Sequence, residues 1–156
     1  SPRVVVEYGK LPVDRKGSIH GAAAIGSVEQ VRQFLVVGVG VDDQDSNGNT
    51  ALMWAVAKGH DELAELLVKE HGAAADIQNS SGTTALMYAA RKGRYSIAKF
   101  LLVQAHSNPN LRDSEQATAL TAAAKKGDVE MVKLLLQNGA STRANVALLG
   151  AAKKRH

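Results

Sequence analysis

Three stretches decide the fold: NGNTALMWAVAKGHDELAELL (47–67), SGTTALMYAARKGRYSIAKFLL (81–102) and QATALTAAAKKGDVEMVKLLL (116–136). Thr50, Thr84 and Thr118 stand 34 residues apart, as do Leu52, Leu86 and Leu120, and Gly59, Gly93 and Gly127. One register therefore runs through three copies. A weaker copy upstream, SIHGAAAIGSVEQVRQFLVVGVGVDDQ (18–44), puts Gly26 33 residues before Gly59 and keeps a downstream Gly38. A fifth begins at NVALLGAAKKRH (145–156) and stops after one helix. A period of this length belongs to architectures in which each unit is one small supersecondary piece stacked on its neighbours.

Each unit has a direct physical reading. Asp45-Ser46-Asn47-Gly48 and Asn79-Ser80-Ser81-Gly82 place Asp or Asn first and Gly fourth, the signature of a type I turn. Thr50, Thr84 and Thr118 are then expected as N-caps of a short first helix, which a left-handed Gly59, Gly93 or Gly127 ends. A second helix carries Leu63, Leu66 and Leu67 on one face, with counterparts Ile97, Phe100, Leu101 and Met131, Leu134, Leu135. One helix pair cannot bury such a face alone, and stacking buries it.

The pattern D-x-x-G-x-T-A-L-M-x-A-x-x-x-G, then L-L and G-A, resembles the ankyrin repeat over about residues 17 to 156. Ala51, Ala85 and Ala119 stand where that family usually has Pro, and Met53 and Met87 where it has His; only His20 keeps the His. The resemblance implies an all-α ankyrin-repeat solenoid of helix-turn-helix units with β-turn fingers. Its units are expected at about 17–44, 45–78, 79–112 and 113–143, with a half-repeat cap at 144–156 and an irregular lead-in at 1–16. His71 and Ala105 read as single insertions after the second helix, and His106 takes a usual Gly position, so those loops are expected to bulge. Gln116 replaces the turn Gly, so the third finger is expected to be less tight. About five finger residues are missing after Gly139-Ala140, with Asn145 as the cap of a last helix, Val146 to Lys154.

Composition agrees with a stacked, aliphatic design. Of 156 residues 45% are hydrophobic and only 4% aromatic, which suits small close-packed helices better than aromatic strands. Cysteine is absent, excluding thiolate chemistry and disulfide scaffolds. No run of eighteen apolar residues and no signal-peptide core is present, so the expected location is intracellular, cytoplasmic with the nucleus open. Catalytic readings fail in turn. Gly38-Val39-Gly40 opens like a phosphate loop, but Asp43 sits at its sixth position and would repel phosphate. His20, His60, His71, His106 and His156 form no zinc-binding pair. Asp42, Asp43 and Asp45 lack the loop length and closing Glu of an EF-hand. No enzyme activity, cofactor or metal is expected.

The resemblance also implies where a partner binds: on the fingers and first helices. That face would carry Asn47, Asn49, Ser81, Thr83 and Glu115 from the fingers. Four, seven and eight residues after each cap it would carry Trp54 and Lys58, then Tyr88, Arg91 and Lys92, then Lys125 and Lys126, with Lys153 and Lys154 continuing. A basic ladder follows, within a net charge of +4. The plainer alternative is that cations at helix C-termini answer the helix dipole, worth about 0.3 to 1 kcal/mol each, and that Trp54 and Tyr88 pack between helices. The expected function is a non-catalytic, monomeric interaction scaffold for an acidic or mixed protein segment. The alternatives are electrostatic binding of nucleic acid or anionic lipid, which fifteen interspersed acidic residues disfavour, or the ankyrin section of a larger signalling protein such as a kinase.

Overall fold

A computed structural model describes residues 17–142. It divides into two compact units, with the division between Ala73 and Ala74. Among the described residues there are eight helices and no strand. The expected lead-in at 1–16 and the cap at 144–156, with Asn145, Lys153 and Lys154, lie outside them.

The first unit holds α1 (Ile19–Ile25), α2 (Val28–Val36), α3 (Ala51–Lys58) and α4 (Asp61–His71). Local signals start and stop these helices. Ser18, Ser27 and Thr50 each accept the backbone N–H three residues on, and so cap α1, α2 and α3. The first turn of α4 has Asp61 and Glu62 beside its free N–H groups instead of a capping side chain. Stacking α1 against α3 buries Ile19, Ala22, Ala23, Leu52, Ala55 and Val56, while Val31, Leu63 and Leu67 bury the second-helix face. Leu66, expected on that face, is half-buried. Gly26 ends α1 at φ 76°, and a Cβ there would fall 2.6 Å from the His60 ring. The ring needs that space because its Nε2–H donates to the Ala24 carbonyl at 2.9 Å, satisfying the end of α1.

The second unit repeats the design with α5 (Ala85–Lys92), α6 (Tyr95–Val103), α7 (Ala119–Lys126) and α8 (Val129–Gln137). Here α5 packs on α7 and α6 on α8. Thr84 caps α5. Thr118 and Thr121 cap α7 reciprocally, each hydroxyl accepting the other's backbone N–H. Leu86, Ile97, Phe100, Leu101, Leu120, Met131, Leu134 and Leu135 are buried. Met53 in the first unit and Met87 in the second are each 2% exposed, so a packed thioether fills the site of the family's His.

Both insertions widen the turn that leaves a second helix. Where none is present, Val39 N–H reaches back to the Phe34 carbonyl and Ala140 N–H to Leu135, five residues each. After the insertions the spans are six, from Ala73 to Leu67 and from Ser107 to Leu101, both at 2.9 Å. The inserted His71 lengthens α4, with Gly72 left-handed beyond it. After α6, His106 itself takes the left-handed conformation at φ 53°.

Candidate interaction surface

The fingers are built on Asp45, Asn79 and Asp113, spaced 34 residues apart. One side-chain oxygen of each head accepts two N–H groups of its own finger. Asp45 Oδ1 accepts from Asn47 and Asn49, Asn79 Oδ1 from Ser81 and Thr83, and Asp113 Oδ1 from Glu115 and Ala117, all at 2.9 to 3.0 Å. These bonds fix the turn, which then closes from the fourth residue to the head carbonyl at 2.9 Å for Gly48 and Gly82. Gln116 closes it at 3.0 Å, adopting φ 66° to do so. The expected slackening of the third finger is therefore corrected: two bonds to Asp113 outweigh the preference of a non-glycine residue for negative φ.

What reaches the other atom of each head differs from repeat to repeat. In the first unit Trp54 Nε1–H donates to Asp45 Oδ2 at 2.8 Å. In the second, Asn79 Nδ2–H donates to the Tyr88 hydroxyl at 3.1 Å. Both aromatics are half-buried against their own finger, with a cation 5.9 Å from the ring centroid: Lys58 over Trp54 and Arg91 over Tyr88. The next repeat has Ala122 in place of an aromatic. There Asp113 Oδ2 is met at 3.0 Å by the Arg91 guanidinium, which also donates to Thr83 Oγ1 at 3.3 Å.

Partial burial pushes the Asp45 carboxyl up, but the Trp54 indole donor, the Asn49 and Asn47 N–H groups and the nearby His20 together hold it below its ordinary value. His20 itself donates from Nε2 to the Asp43 carbonyl at 2.7 Å, tying α1 to the approach to the finger. Asp43 Oδ2 in turn accepts Gly40 N–H at 3.0 Å, so the glycine loop spends that donor internally.

In the second unit the fingers are laced together: Ser114 N–H donates to the Ser81 carbonyl at 2.9 Å, and Gln78 Nε2 donates to Gly82 and Arg112 carbonyls. Beside them lies a groove of about 620 Å³ lined by Arg91, Asp113, Glu115, Ala122, Lys125 and Lys126, among others. A smaller one of about 290 Å³ runs along Ser81, Thr83, Tyr88 and Glu115.

The expected site residues therefore separate. Asn47, Ser81 and Glu115 are exposed at finger tips, and Asn49 is half-buried. Thr83 is 3% exposed and serves Arg91 from inside the finger. Two rungs of the ladder are engaged internally: Arg91 with Asp113, and Lys126 through Nζ with the Arg91 carbonyl at 3.2 Å, near the C-terminus of α5 in the preceding repeat. Lys92 and Lys125 are exposed, and no side-chain hydrogen bond or ion pair joins either to another described residue. Lys125 lines the larger groove and Lys92 does not. Lys58 is exposed in the first unit. Asp113 is the finger head that local sequence reading passed over, and its signal was there: it repeats the 34-residue spacing of Asp45 and Asn79. Among the described residues no group of three or more His, Asp and Glu could hold a metal, and no helix is long and apolar enough to cross a membrane.

Comparison with known families matches "Ankyrin repeats (3 copies)" to residues 19–113 and "Ankyrin repeat" to residues 115–147. Similar proteins include the probable 26S proteasome regulatory subunit p28 of Saccharomyces cerevisiae, 36% identical over 76 residues, 47% of this chain and 30% of that protein. Acyl-CoA-binding domain-containing protein 2 of Arabidopsis thaliana is 39% identical over 54 residues, 35% of this chain and 15% of that one. Osteoclast-stimulating factor 1 of Monopterus albus is 38% identical over 52 residues, 33% and 24% respectively. The matched stretch is less than a third of the length of each relative. Ankyrin repeats are protein-interaction modules and generally non-catalytic. With the caps, left-handed glycines and finger turns recurring in register, and a family match over most of its length, this chain belongs to the ankyrin repeat family.

Proposed function

We propose that the chain is a non-catalytic scaffold that takes an acidic or mixed-charge protein segment on its finger and first-helix face, acting as a monomer in the cytoplasm. The observation that carries this is Lys125: exposed, without an internal partner among the described residues, on a groove with three cations against two carboxylates. One of those carboxylates, Asp113, is already matched by Arg91. The groove is thus electrostatically prepared for carboxylates and yet carries Glu115 to select among them. Fixed fingers mean that little ordering is needed on this side at binding. Absence of cysteine suits a reducing compartment.

The test is capture from native lysate with the chain as bait, in parallel with salt titrations of generic duplex DNA and anionic vesicles. Saturable protein capture, with duplex and vesicle binding absent near physiological salt, supports the proposal. Steeply salt-dependent duplex or vesicle binding without protein capture would replace it with the electrostatic reading.

A further inference from the structure

We infer that the groove beside Ala122 accepts an aromatic side chain, tyrosine or tryptophan, from an acidic segment of the partner. The inference rests on the interaction reading above and specifies its ligand. It comes from comparing the chain with itself. At the fourth residue after the cap, two repeats supply Trp54 and Tyr88, each hydrogen-bonded to its own finger head and each with a cation 5.9 Å from its ring. The following unit, 113–143, supplies Ala122, and the space beside it is the groove of about 620 Å³.

The kinds of group that the internal aromatics use recur around that space. Asp113 is the finger head, and its carboxylate can accept a further donor beyond Arg91. Glu115, exposed and lining the groove, is a second acceptor. Ala117 and Ala122 contribute apolar lining. Lys125 follows Ala122 by three residues, the offset at which Arg91 follows Tyr88, and it is exposed. Acidic neighbours in the partner follow from Lys125 and Lys126, which both line the groove. Residues 143–156 contain no tyrosine or tryptophan, whereas residues 1–16 contain Tyr8, so the titration is repeated on a Tyr8→Ala chain, in which the same preference is expected.

The test uses the whole chain and two capped seven-residue peptides, identical but for a central tyrosine or leucine, with two acidic residues on each side. Amide chemical-shift titration is expected to show the tyrosine peptide binding at least about fivefold tighter, with shifts at Ala117, Ala122 and Lys125. Ala122→Tyr, which rebuilds the internal pattern, is expected to abolish that preference while the chain still melts cooperatively. Equal affinity for the two peptides, or no binding by either, would overturn the aromatic slot, and this comparison needs no variant. A protein partner captured by the wild type and equally by Ala122→Tyr would also overturn it while leaving the scaffold proposal standing. The scaffold proposal fails on different results: no captured partner, or salt-dependent duplex or vesicle binding in its place.

Discussion

Arg91 of α5 and Asp113 of the following finger are joined at 3.0 Å, with Asp113 92% buried on the side-chain scale and Arg91 still 40% exposed. The bond ties one repeat's helix to the next repeat's turn, and it exists because Ala122 leaves the second oxygen of Asp113 without an aromatic donor of its own. Asp113→Ala removes an acceptor for two finger N–H groups as well as the ion pair and is expected to cost about 1 to 3 kcal/mol. Asp113→Asn keeps the finger acceptor, as Asn79 does in the preceding finger, but sets an amide NH2 against the Arg91 donor, and is expected to cost less than Asp113→Ala. Urea unfolding of the two variants checks the order; equal losses would remove the finger-head role.

The left-handed turn residues make a paired expectation. Gly82 sits at φ 76°, and a Cβ there would come 2.8 Å from Asp113 Cα, so Gly82→Ala is expected to destabilise by at least about 1 kcal/mol. Gln116 holds the equivalent position at φ 66° with a side chain, so Gln116→Gly is expected to stabilise by about 0.5 to 1 kcal/mol. Thermal midpoints moving in the same direction for both would contradict this.

Leu101 has no exposed surface in the face that α6 buries. Leu101→Ala is expected to cost about 2 to 5 kcal/mol through the cavity it leaves. Denaturant unfolding measures it, and a negligible change would place Leu101 outside the core.

The lowered Asp45 carboxyl gives a signed pH effect. A carboxylate whose folded value lies below its unfolded one, near 3.9, stabilises fully above that value and loses its contribution as pH falls through the folded value. Trp54→Phe removes the indole donor, so Asp45 is expected to titrate at higher pH in the variant. The variant's stability deficit is expected to be larger at pH 6 than at about pH 2. Carboxyl NMR titration with melts at the two pH values tests it; an unshifted Asp45 would mean the Trp54 bond has no electrostatic weight.

Much of this fold was legible because its signals are local. Thr50, Thr84 and Thr118 cap the helix that follows them, Gly59 ends the helix before it, and both facts lie within one turn of chain. The candidate face was legible only in outline. Arg91 and Lys126 read as open cations because their partners, Asp113 and the Arg91 carbonyl, are 22 and 35 residues away and become neighbours only on stacking. Gln116 read as a weak turn residue because its strain is countered by Asp113, whose role as head depends on three-dimensional closure. Lys92 and Lys125 read correctly as exposed, since residues past the buried stripe of a short helix have nothing to pack against.

The most direct measurement is the Lys92→Glu, Lys125→Glu double variant, read for affinity toward the captured partner and for unfolding midpoint in the same buffer. Affinity is expected to fall at least about tenfold, since each reversal replaces attraction by repulsion at the interface, with the midpoint shifting by no more than the small amount expected of exposed substitutions. Unchanged affinity, or a loss of affinity that merely follows a loss of folding, would contradict a partner face built on these two lysines.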